Sequence, residues 1–201
     1  MDDKNLEQAA VKLTQALIQQ QSYSGQEKAV SDVLQAYFKE NNYDDVIVDK
    51  YGNTIGCIKG SKPGPKILFD GHMDTVPVGN EADWDYPPFA AEIHDGKIYG
   101  RGASDMKGAI AAMAVAATAY RDQTNGDFPG EIYVAGVAHE ECFEGVAARE
   151  ISARVNPDYV VIGEASQGNV KIGQRGRGEI KLEVFGKPAH SANPEKGINA
   201  V

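Results

Sequence analysis

The sequence predicts an α/β fold: a mixed, largely parallel central sheet flanked by helices. Segments of helical periodicity alternate with short apolar strands, the order that builds such sheets. Those strands read as buried, as strands covered by helices do. Four apolar segments also run directly into loops bearing His or acidic residues, and open α/β sheets carry their ligands at the carboxyl ends of strands.

The elements follow in chain order. Leu6, Ala10, Leu13 and Leu17 recur at helical spacing, as do Ala29, Val30, Val33, Leu34, Tyr37 and Phe38. Ser24 and Glu27 have capping-box spacing, which predicts that the second helix starts near Gly25. The period then changes, and 46–48, 53–58 and 66–70 read as strands around the breaker run 60–65. Asp95-Gly96 predicts the turn of a hairpin over 93–98. An Ala-rich helix is expected over 106–120, strands at 131–137 and 158–162, and a helix between them at 145–154. The pattern shifts near Gln174. A strand is expected over 179–185, and 194–201 reads as the opening of a helix without a cap, so the sequence is expected to be a fragment. The expected organisation is one domain over 1–173 and the start of another over 174–201.

A net charge of −9 and a pI near 4.9 argue against a phosphate-backbone binder, which needs clustered Lys and Arg. The run 109–120 is too short to span a bilayer. The opening MDDKNLEQ has neither the basic start nor the apolar stretch of a secretory signal. Cys57 and Cys142 are too few for a disulfide framework, and a reducing, cytoplasmic setting is expected.

The acids and histidines carry the chemistry. The strand at 66–70 leads into His72 and Asp74, the hairpin into Asp105, the strand at 131–137 into Glu140 and Glu141, and that at 158–162 into Glu164. Such a set suits a divalent metal held by N and O ligands. His72 and Asp74 lie two apart, so in extended backbone both side chains point the same way, and Asp74 can accept the second ring N–H. Taken alone, Asp105 at a helix start reads as a carboxylate placed for the helix dipole. Adjacent acids such as Glu140 and Glu141 at a buried strand end repel one another and call for a cation. His94 reads as an exposed turn residue, His139 as a solvated or packed one, and Cys142 as a small buried residue. The glycines at 173–178 lack both the Walker Lys-Ser/Thr and the Rossmann order, so they give little support to nucleotide binding.

Together these residues resemble the M20 family of metallopeptidases and deacylases, the group of acetylornithine deacetylase, succinyl-diaminopimelate desuccinylase and carboxypeptidase G2. The matching strings are Gly-His-Met-Asp-Thr-Val at 71–76, Trp84 with Pro88-Phe89, the run 95–108 around Gly-Arg-Gly-Ala-Ser-Asp-Met-Lys-Gly, Glu140-Glu141, Gly163-Glu164, and Gly-Lys-Pro-Ala-His-Ser at 186–191. The resemblance implies a zinc-peptidase-like catalytic domain followed by the beginning of an α+β lid or dimerisation domain. It implies two divalent ions, zinc first, with cobalt and manganese also suited, roughly 3.5–4 Å apart. Asp105 would bridge them, His72 and Glu164 would complete one, and Glu141 would bind the other. Glu140 would be the general base, Asp74 would orient His72, and His190 would stabilise the oxyanion. The Asp105–Met106 peptide would be cis.

The family's second metal also takes a histidine near the end of a chain about twice this length, and no residue here matches it. The resemblance therefore implies that this chain alone is inactive or nearly so. It implies that the parent is a homodimeric amide hydrolase of N-acyl amino acids or short peptides. A non-catalytic, metal-binding relative serving as a binding or regulatory module is the competing expectation. Glu140 and His190 speak against it, because a binding module needs neither a base nor an oxyanion donor.

Overall fold

A computed structural model of the chain describes residues 3–143, 145–176, 178 and 180–201. It divides into two compact units, Met1–Gln167 and Gly168–Val201.

The first unit begins with two helices, α1 (Asp3–Ile18) and α2 (Lys28–Glu40). Their periodic apolar residues face inward: Leu13, Leu17, Val30, Leu34 and Phe38 are buried. Each such side chain contributes about 1.5–3 kcal/mol when fully removed from water. The Ser24–Glu27 pair is not a capping box. A turn at 23–26 delays α2 to Lys28, and Glu27 precedes the helix without a side-chain cap bond.

Five strands form the main sheet: β1 (Asp45–Val48), β2 (Thr54–Lys59), β3 (Lys62–His72), and, beyond the hairpin of β4 (Glu92–His94) and β5 (Lys97–Tyr99), β6 (Pro129–Val137) and β7 (Tyr159–Ile162). Their order is β1-β2-β6-β3-β7. β2 is antiparallel to both β1 and β6, while β3 is parallel to β6 and β7, so β2 alone runs against the rest. The sheet is mixed with a parallel majority, as expected. β3 begins inside the expected breaker run, and a register shift between Lys62 and Lys66 absorbs the two prolines. The β4–β5 turn has Asp95 at φ 50° and Gly96 at φ 74°, the positive pair that a tight two-residue hairpin demands.

The remaining helices are α3 (Gly108–Thr124) and α4 (Val146–Val155). α1, α2 and α3 bury one face of the sheet, where Ile58, Ile132 and Val134 meet Leu34, Phe38, Ala111 and Ala114. α4 covers the other face through Ala147, Ile151 and Val155, which pack on Ile55, Leu68 and Val137. β7 differs from the buried strand expected. Among the described residues it pairs only with β3, and Tyr159, Val160, Val161 and Ile162 are all exposed. Among the described residues no helix is long and apolar enough to cross a membrane.

The second unit has little regular structure. Glu179 lies outside the described residues, and the rest of the expected strand, 180–185, forms no strand, with Ile180, Leu182 and Val184 exposed. A strand needs a neighbour to satisfy its backbone, and the described residues supply none there. A bridge joins Lys187 and Ile198 by reciprocal 2.9 Å hydrogen bonds. The helix expected from residue 194 is one 3-10 turn, Pro194–Lys196, ended by extended backbone at Gly197.

Candidate metal centre

The parallel strands deliver the site. His72 at the end of β3 is in register with Val137 at the end of β6, and Asp70 with Ile162 at the end of β7. The loops that follow therefore leave the same end of the sheet, with His72, with Glu140 and Glu141, and with Glu164. Asp105 arrives from the turn before α3, in non-helical backbone (φ −128°, ψ 93°), and its peptide bond to Met106 is cis. Gly71 lets this turn sit against β3, because a Cβ there would lie 2.8 Å from Met106 Cε and 2.9 Å from Ile110 Cγ1.

His72 is buried and held at both ring nitrogens. Nδ1 lies 2.8 Å from the main-chain oxygen of Asp74, and Nε2 lies 2.8 Å from Asp105 Oδ1. A carbonyl can only accept, so Nδ1 carries a proton. Nε2 then faces acids alone: Asp105, Glu164 Oε1 at 3.4 Å and Glu140 Oε2 at 3.9 Å. One ligand atom each from His72, Asp105 and Glu141 fall within 4.8 Å of one another. An imidazole whose inner nitrogen is already used, with its outer lone pair turned toward several carboxylates, is a donor set that fits a divalent cation.

The electrostatics agree. Glu141 and Glu164 are both pushed above the ordinary carboxylate range, first by burial; His72 opposes this and Asp105 adds to it. Asp70, beneath the site, is raised to about 6 by burial, opposed by His72 and assisted by Glu164. Burial works against a charged His72, but its bonds to Asp74 and Asp105 and the charges of Glu164 and Glu140 outweigh it, so its pKa is raised. Acids crowded this way are relieved by positive charge.

Asp74 differs from expectation. Its carboxylate is fully buried but stands 3.7 Å from His72 Nδ1, and its main-chain oxygen orients the ring instead. The carboxylate accepts from Ser24 Oγ at 2.6 Å and from the amides of Glu140 and Glu141 at 3.0 and 3.1 Å. It holds the acidic loop rather than the imidazole. His190 belongs to the second unit, where it is exposed and its Nδ1 accepts the Ala192 N–H at 3.1 Å. Cys142, in the turn after β6, is exposed, not buried. His94 stacks on Tyr86 and bonds Glu92 at 2.7 Å.

Sequence reasoning gave Ser24 and Glu27 only a capping role and gave Lys107 none. Glu27 accepts the His139 N–H at 3.0 Å. The fully buried Lys107 donates to the carbonyls of Leu17 and Gln20 at 3.1 and 2.8 Å. The one available signal was a lysine inside an otherwise apolar helix start.

An α/β sheet with His and carboxylates gathered at its carboxyl end defines a class of cation-dependent proteins, and comparison with known proteins narrows it. Residues 68–201 match peptidase family M20/M25/M40, and the chain belongs to that family. Succinyl-diaminopimelate desuccinylase 2 of Ruegeria sp. (strain TM1040) is 33% identical over 201 residues, covering 94% of this chain and 50% of that protein. Among solved structures, the di-peptidase Dug1p of Saccharomyces cerevisiae superposes with a TM-score of 0.65 at 17% identity, over 79% of this chain and 39% of that one. The YXEP protein of Bacillus subtilis, a dinuclear metal-binding peptidase of the M20 family, gives 0.56 at 20% identity, over 77% and 40%. This chain spans about half the length of the curated relatives it matches.

Proposed function

We propose that the protein containing this chain is a metal-dependent hydrolase that cleaves the amide bond of an N-acyl amino acid or short peptide. The carrying observation is the His72, Asp105, Glu141 and Glu164 cluster with Glu140 on its rim. Relatives named desuccinylase and di-peptidase support amide cleavage of small substrates.

In this reading His72 and Glu164 would hold one divalent cation, Glu141 would hold a second, and Asp105 would serve both. Zinc is the first choice, with cobalt and manganese also matched to the donors. Bound cations supply carbonyl polarisation and a more acidic water. Glu140 takes the proton of the attacking water and returns it to the leaving amine. Asp74, through the amides of Glu140 and Glu141, holds that base in place. His190, in the part that begins a lid or dimerisation domain, reaches across a dimer to stabilise the oxyanion in the partner protomer. We place the activity in the cytoplasm, in keeping with the two free cysteines.

The test is Glu140→Gln in the full-length, zinc-loaded protein, assayed on N-succinyl and N-acetyl amino acids and on dipeptides. The rate should fall by about 10²–10⁴ with zinc content unchanged. An unaltered rate would remove Glu140 from the reaction, and no hydrolysis by the wild type would favour the binding-module alternative.

A further inference from the structure

We propose that the connection between α1 and α2, residues 19–27, is a positioning strap for the site, and that Ser24 and Glu27 are its positioning residues. The proposal deepens the metal-site reading above. What it adds is a cause for the placement of the acidic loop.

The strap touches three of the segments that carry the candidate ligands. Gln20, with Leu17 at the end of α1, receives the buried Lys107 ammonium, two residues beyond Asp105. Ser22 donates to the carbonyl of Met73 at 2.7 Å and accepts the amide of Thr75 at 2.9 Å through its own carbonyl, either side of Asp74. Ser24 and Glu27 reach the third segment, the turn after β6.

That third attachment is the informative one. The amides of residues 139, 140 and 141 are consecutive, and each is taken by a buried carboxylate: His139 by Glu27, and Glu140 and Glu141 by Asp74. Both carboxylates are fixed from the strap. Glu27 also accepts the Gly25 amide at 2.9 Å, and Ser24 donates to Asp74 at 2.6 Å. These charge-assisted bonds set where Glu140 and Glu141 stand. Partners that orient a ligand typically change metal affinity about 10–100-fold when removed.

The experiment measures amide hydrogen exchange at residues 139–141 in the metal-free chain, with zinc affinity by competition titration as a second readout. Ser24→Ala should speed exchange of the Glu140 and Glu141 amides about tenfold relative to those of α3, and Glu27→Gln should do so at His139. Ser24→Thr, which keeps the hydroxyl, should restore the wild-type pattern. Zinc affinity should fall about tenfold in Ser24→Ala and recover in Ser24→Thr. Exchange that rises no more at 139–141 than in α3 would overturn the strap, because that is the pattern of general destabilisation. A wild-type chain that takes no zinc would overturn the metal reading instead, and the exchange measurement would still decide the strap.

Discussion

His72 Nε2 lies 2.8 Å from Asp105 Oδ1 although the two residues are 33 apart in sequence, one closing a central strand and the other opening a helix. The pair brings a β3 nitrogen and an α3-turn carboxylate to one point at the end of the sheet. Replacing either His72 or Asp105 by Ala should lower zinc affinity at least about hundredfold, more than loss of an orienting partner does. Competition titration against a chromogenic chelator checks this. Wild-type affinity in both variants would mean that zinc binds elsewhere.

The pKa directions predict how metal-free stability depends on pH. Asp70, Glu141, Glu164 and His72 all have raised values in the folded chain, so between the unfolded and folded values the folded state holds more protons. Stability from such groups is complete below the unfolded pKa and is lost as pH rises through the folded one. For the carboxylates the window runs upward from their ordinary values, through about 6 for Asp70. For His72 it lies above 6.5. The metal-free melting temperature should therefore rise by a few degrees, roughly, from pH 7.5 to pH 5.5. The added stabilisation from zinc should shrink over the same range, because protons compete for the ligands. Thermal melts with and without zinc test both signs.

Lys107→Met should destabilise the first unit. The substitution removes the buried ammonium's bonds to two carbonyls; Leu17 O still accepts the Gln20 N–H at 3.2 Å, so the cost falls mainly on the Gln20 carbonyl, about 1–3 kcal/mol. Denaturant melts should show the loss, with an unchanged slope if the native state keeps its compactness.

Gly71→Val should cost about 1–3 kcal/mol by overpacking against Met106 and Ile110. It should also weaken zinc binding, because Met106 adjoins Asp105. A variant as stable as wild type would show that the α3 turn has room to move.

Much of the fold was legible because the first unit obeys local rules. Leu13, Leu17, Leu34 and Phe38 repeat at helical spacing and are buried where that spacing places them. Asp95-Gly96 makes the turn its chemistry dictates. The gathering of His72, Glu141 and Glu164 was legible because parallel strands present their ends together. Other features depend on partners distant in sequence. Ser24 and Glu27 have local capping spacing, yet Asp74 and His139 compete for their side chains and win. Main-chain orientation of His72 leaves no mark on residue identity at Asp74. Beyond residue 168 the apolar pattern of Ile180, Leu182 and Val184 predicts a strand, but pattern alone forms none without a neighbour to pair with.

The most direct test of the metal centre is zinc content per chain, by elemental analysis after loading and dialysis, for the wild type beside Asp105→Ala. The account predicts at least one zinc retained by the wild type and a clear loss in the variant. A wild-type chain free of zinc, or a variant that keeps as much, would contradict it.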